Sequence, residues 1–111
     1  MNFNQIQIVV TVPAKHLHDV LDAMAEAGAG VVGEYTHCTF RNTGTGRFKP
    51  SAQANPAVGE TETINEVEEY RIETICHRDR VKAVCEAIRR AHPYEEPLIY
   101  LIPLLDEKDF A

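Results

Sequence analysis

The apolar residues of this chain change period along its length, and the order of the changes leaves few folds open. Residues 3–12 alternate, with Ile6, Ile8, Val10 and Val12 on one face and Gln5, Gln7, Val9 and Thr11 on the other. A repeat of two is the signature of a strand. Val9, apolar on the second face, predicts a central strand at least partly covered on both sides. Pro13 stops that strand and suits the first turn of a helix. Over residues 14–27 the spacing becomes helical: Leu17, Val20, Leu21 and Met24 share a stripe, while His18, Asp19, Asp22 and Glu26 lie mostly off it. Gly28 and Gly30 supply the C-terminal stop.

Residues 31–41 (VVGEYTHCTFR) predict a second strand. A turn-rich segment, 42–61, follows as a long loop, with a stretch around Arg47–Lys49 able to pair back as a short hairpin arm. Residues 62–76 predict a third strand, placing Tyr70, Ile72, Thr74 and Cys76 on one face and Glu69, Arg71, Glu73 and Ile75 on the other. Asp79 is the expected N-cap of a second helix, 80–91, with a buried stripe of Val81, Val84, Cys85 and Ile88. His92 before Pro93 ends it, because a residue preceding proline avoids the helical region. Residues 98–104 (LIYLIPL) give a fourth strand, whose Pro103 favours an edge or terminal position.

Strand, helix, strand, strand, helix, strand is a pair of split βαβ units. The expected fold is therefore α+β and ferredoxin-like: a four-stranded antiparallel sheet with two helices on one face. With 111 residues, the chain fits a single domain, 1–111. Both helices cover the same face, so Val9, Thr11, Glu69, Arg71 and Ile75 are left on the other. That mixture of apolar groups and paired charge predicts a subunit interface; a solvated face with scattered apolar residues is the alternative.

Charge narrows the partners. The net charge is −6, and residues 60–111 carry the whole excess. With no basic run, nucleic acid and anionic membrane surfaces are not expected partners. No apolar run reaches the roughly 18 residues of a membrane span, and no signal peptide is expected. Cys38, Cys76 and Cys85 are odd in number and lack a CxxC spacing, which predicts reduced thiols and a cytoplasmic location.

Several stretches resemble one family when taken together: GAGVVGEYTHCTF (Gly28–Phe40), GTGRFKP and ANPAVGE (Gly44–Pro50 and Ala54–Glu60), EVEEYRIE (Glu66–Glu73) and AHPYEEPLIYLIPL (Ala91–Leu104). They resemble the PII-like domain inserted in YqfO-type proteins of the NGG-interacting-factor-three family. HPYEEP also resembles the matching segment of CutA proteins. The resemblance implies a PII/CutA-like domain that assembles as a homo-oligomer, a trimer. It places the larger members' dinuclear metal site in a flanking domain that has no counterpart in this sequence. The expectation is accordingly a binding or regulatory module, without the hydrolase activity attached to the family.

Four groups of residues carry the candidate chemistry. His92–Pro97 is a stiff corner that fixes His92, Tyr94, Glu95 and Glu96. An imidazole with carboxylates can hold a divalent ion, zinc or copper, or act as an acid–base pair. The structural alternative is a helix-to-strand corner, with His92 on the helix's last carbonyls and Glu95 paired to Arg89 or Arg90. Glu69, Arg71 and Glu73 project together from the third strand, as an intersubunit ion-pair ladder or as carboxylates lining a cleft that Tyr35 and His37 complete. Cys38 and Cys76 are expected across a hairpin, as core thiols or, with His37 and His77, as soft metal ligands. His16 and His18 point about 200° apart on a helix and cannot share an ion. Arg47, Lys49 and the glycines of the 44–60 loop can meet an anion, or the loop can embrace a neighbouring subunit or partner.

The metal candidates are thus His92, Glu95, His37, Glu69 and Glu73, and the cleft candidates Tyr35, Tyr94 and Arg71. With no GxSxG, HExxH or GxGxxG, no catalytic residue is assigned. The other reading is a metal-dependent hydrolase using His92, Glu95 and Glu69 or Glu73.

Overall fold

A computed structural model describes residues 3–111. The strands are β1 (Gln5–Pro13), β2 (Phe40–Phe48), β3 (Asn65–His77) and β4 (Ile99–Leu104); the helices are α1 (Leu17–Glu26) and α2 (Val81–Ala91). Single 3₁₀ turns, Ala14–His16 and Arg78–Arg80, lead into the two helices. The sheet order is β2-β3-β1-β4, antiparallel throughout. This is the ferredoxin-like plan that the alternation of periods predicts.

One face of the sheet makes the core. Ile8, Val10 and Val12 of β1 and Ile72 of β3 are closed off by Leu17, Val20 and Met24 of α1 and by Val84 and Ile88 of α2. Burial of a branched side chain contributes roughly 1.5–3 kcal/mol relative to leaving it exposed, which makes these positions the main source of cohesion. The register places Gln7, Val9 and Thr11 opposite Ile75, Glu73 and Arg71 on the other face. There Phe40, Tyr100 and Ile102 stay accessible, at 69%, 53% and 39% exposure. No helix among the described residues is long and apolar enough to cross a membrane.

The second strand departs from its expected place. Residues 31–39 do not join the ladder: Val32 and Tyr35 bond each other's backbone across a tight turn, and Gly33 and His37 take φ of +58° and +61°. The strand instead runs from Phe40 to Phe48, through Gly44 and Gly46, with Phe40 opposite Glu73 and Phe48 opposite Asn65. Intrinsic preference favoured VVGEY over NTGTG, since glycine weakens strands. The long β3 partner reverses it by offering a continuous row of backbone donors and acceptors. The connection between β2 and β3 is therefore residues 49–64, not 42–61.

That connection is folded. Asn65 Nδ2 donates to the carbonyls of Glu60 and Thr63, and its Oδ1 accepts from the Glu60 N–H. The β2–β3 arm also lengthens the molecule to 52 × 26 × 23 Å, with a radius of gyration of 15.5 Å, against the roughly 13 Å expected of a compact domain this size.

The entry to α2 differs too. Asp79 sits inside the 3₁₀ turn, and its N–H donates to His77 Nδ1 (3.1 Å), so the histidine ring caps the segment. The carboxylate is not the cap because the extra turn moves the helix start to Val81.

Candidate functional site

The site grows from a place where the ladder stops. β4 pairs with β1 only as far as Val10 and Ile99. The next β1 carbonyl, that of Thr11, needs another partner. His92 supplies it: the residue is at the C-terminus of α2, its N–H donates to Ile88, and its ring Nε2 lies 2.7 Å from the Thr11 oxygen. The other ring nitrogen, Nδ1, accepts the Tyr94 N–H at 3.1 Å. These two bonds require a neutral imidazole with its proton on Nε2. Burial pulls the His92 pKa below its usual value, partly opposed by the Thr11 carbonyl and by Glu69, with His16 adding to the lowering.

The sign of the pH effect follows. A histidine whose folded pKa is depressed contributes stability that is complete above its unfolded value, about 6.5, and is lost as pH falls from there through the folded pKa. Thermal melts from pH 7.5 to 5.5 should therefore show wild type losing more stability than His92→Gln. Equal losses would mean that His92 is not held neutral.

The His92 and Tyr94 rings pack at a tilt with centroids 4.9 Å apart, and the Phe48 ring of β2 lies 6.2 Å from that of Tyr94. Tyr94 then donates its hydroxyl to Glu69 Oε2 at 2.6 Å. Glu69 is only 7% exposed, and its carboxylate lies directly over Gly46. A Cβ at Gly46 would sit 2.8 Å from Glu69 Cδ. Burial, first, and the Glu69 carboxylate both hold the Tyr94 phenol above its usual range.

Around this pair is a pocket of about 280 Å³. Its polar floor is Thr11, Glu69 and Tyr94. Its apolar walls include Phe48, Pro50, Pro56, Val58 and Leu98, with Arg47, Lys49, Glu95 and Glu96 also lining it. The connection is tied to the corner at the pocket's edge, where the Asn55 N–H donates to Glu95 Oε1 at 2.7 Å.

Of the residues singled out from sequence, Glu69, Tyr94 and Glu95 meet in this pocket, with His92 bonded to its floor. Arg71 and Glu73 bond each other on the open sheet face, and Gln7 Nε2 also donates to Glu73 at 3.3 Å. Tyr35 and His37 do not complete the cleft within one chain: they stand exposed before β2, and the His37 ring contacts Thr36. Cys38 precedes β2 as well, so it does not face Cys76 across a ladder; its carbonyl accepts the Thr74 hydroxyl. Cys76 and Cys85 are free thiols raised in pKa mainly by burial. His92 bonds Thr11 and not the last α2 carbonyls through its ring, and Glu95 holds Asn55 and not Arg89 or Arg90. Among the described residues no three His, Cys, Asp or Glu side chains converge as a metal site. The sequence marked Gly46 and the 44–60 loop as an anion-meeting or embracing loop and Thr11 as a residue of the uncovered face, but not that they meet Glu69 and Tyr94 at one pocket; the glycine pair in TGTG was the one available sign of close approach.

The fold and the corner define the class of protein: a PII/CutA-like α+β domain. CutA1 of Shewanella sp. SIB1 superposes with a TM-score of 0.71 at 18% identity, over 96% of this chain and 86% of that one. CutA of Archaeoglobus fulgidus gives 0.64 at 16%, over 90% and 83%. No family model matches the chain. The kinship in sequence is with the NIF3/YqfO family, one segment of which this chain matches. A Bacillus cereus protein related to NIF3 superposes with a TM-score of 0.80 at 39% identity, over 94% of this chain and 26% of that one. The GTP cyclohydrolase 1 type 2 homologs of Halalkalibacterium halodurans and Listeria monocytogenes are 44% and 46% identical over 101 and 94 residues, covering 91% and 84% of this chain. The chain spans about a quarter of the length of these curated relatives.

Proposed function

We propose that the chain is a cytoplasmic, non-enzymatic, PII/CutA-like binding module that assembles as a homo-oligomer, a trimer, and holds a small ligand beside the subunit contact. The observation that carries this reading is the pocket of about 280 Å³ opening on the sheet face that both helices leave bare. Phe40, Tyr100 and Ile102 on that face offer apolar area to a second copy, and β2 and β4 are both edge strands that invite pairing. The projecting β2–β3 arm adds reach. Three free thiols suit a reducing compartment.

The pocket's chemistry favours binding over turnover. Tyr94 commits its hydroxyl to a hydrogen bond with Glu69, and His92 has both ring nitrogens engaged, so neither is an idle acid or base. The hydrolytic alternative needs His92, Glu95 and Glu69 or Glu73 acting together; Glu73 is held by Arg71 and does not line the pocket. A divalent ion would need donors from more than one copy.

Light scattering at micromolar concentration tests the assembly. A mass of three chains is expected, and a stable monomer would overturn the assembly.

A further inference from the structure

We propose that the pocket takes a small organic cation: a primary ammonium or amidinium group on an apolar body. The inference deepens the reading of this pocket as the ligand site and rests on it. Glu69 is the deciding residue. Its Oε2 takes the Tyr94 hydroxyl, whereas Oε1 has no hydrogen-bond partner among the described residues. Every fully enclosed polar side-chain atom there has one, so Oε1 is not fully enclosed; it lies against Gly46, which also lines the pocket. A carboxylate that is 7% exposed and half-satisfied calls for a donor, and a charged donor answers it best.

The surroundings select among donors. Tyr94, its hydroxyl hydrogen directed at Glu69, presents oxygen lone pairs as a second acceptor. Phe48 and the Tyr94 ring add aromatic faces that attract a cation. Pro50, Pro56, Val58 and Leu98 provide apolar wall for an uncharged body. The remaining charges of the lining, Glu95, Glu96, Arg47 and Lys49, are all exposed and offset one another, which leaves the choice to the buried Glu69. A metal ion lacks a third donor, and an anion would face a buried carboxylate. The volume of about 280 Å³ is at the small end of ligand pockets, which run to roughly 1,000 Å³.

Three probes of one shape test the class: benzylammonium, benzyl alcohol and benzoate, titrated calorimetrically into the full chain. Benzylammonium should bind about tenfold or more tightly than benzyl alcohol, as a charge-assisted bond predicts, with benzoate weakest. Glu69→Gln should erase the preference for the cation. Should that variant not fold, Ala57→Trp, at an exposed position on the pocket wall, should block benzylammonium while the fold persists. Equal binding of the three probes, tightest binding of benzoate, no binding at millimolar concentration, or a preference untouched by these variants overturns the proposal. Sizing the same samples separates the two readings. An oligomer without cation preference refutes the ligand class alone, and a cation-selective monomer refutes the assembly alone.

Discussion

Ile102→Glu should reduce the light-scattering mass to that of one 12.5 kDa chain without unfolding it. Ile102 lies on β4 opposite Gln7, on the face that the helices do not cover. It is 39% exposed in the single chain, so a carboxylate there can remain hydrated as long as the chain is alone. Between two copies the same carboxylate would be stripped of water with no cation provided for it, at a cost of several kcal/mol. A substitution that is nearly neutral for the fold is thus severe for the assembly. Far-UV circular dichroism should be unchanged while the mass falls. An unchanged mass would place the contact elsewhere on the molecule.

The second large effect is on stability. Gly30→Ala should destabilise the fold by about 3 kcal/mol, because strain at positive φ and overpacking each cost roughly 1–3 kcal/mol. Gly30 has φ of +79°, its N–H donates to Ile75, and its carbonyl accepts from Cys38. A Cβ would come within 2.8 Å of both the N and the O of Cys38. These are backbone atoms, tied through Thr74 to β3, so they cannot swing aside like the end of a side chain. For a domain of this size the loss corresponds to a melting temperature roughly 10–20 °C lower, read at fixed protein concentration because association also raises it. A loss no larger than that of Gly33→Ala, where φ is +58° but nothing lies within 4 Å, would show that strain alone acts and that the Cys38 contact does not.

Gly30 also shows where local reasoning stopped. That a glycine ends α1 was legible from the helical stripe and the GAG run. That the second glycine of the run packs against the backbone of Cys38, itself bonded to Thr74 of β3, was not, because it depends on a residue eight positions away and on a strand beyond that. β2 shows the converse. Its Gly44 and Gly46 argue against a strand, yet Gly46 is required there because the Glu69 carboxylate occupies the space of its side chain. The candidate site was legible in part for the same reason. HPYEEP marked His92, Tyr94 and Glu95 by the stiffness its prolines impose, and Glu69 stood out as a charge on a strand. Nothing local to either segment said that they touch, or that Tyr35 and His37 would stand apart.

Periodicity by itself determined the order of elements, the residues that enter the core and the face left bare, since these follow from repeats of two and 3.6 that a single segment contains. Tertiary structure alone decided which nine residues became β2, where the histidine ring finds its acceptor, and which carboxylate is buried with one oxygen unclaimed. Those outcomes hinge on pairing between distant segments, where a whole row of backbone bonds outweighs the few tenths of a kcal/mol by which one residue prefers one conformation to another.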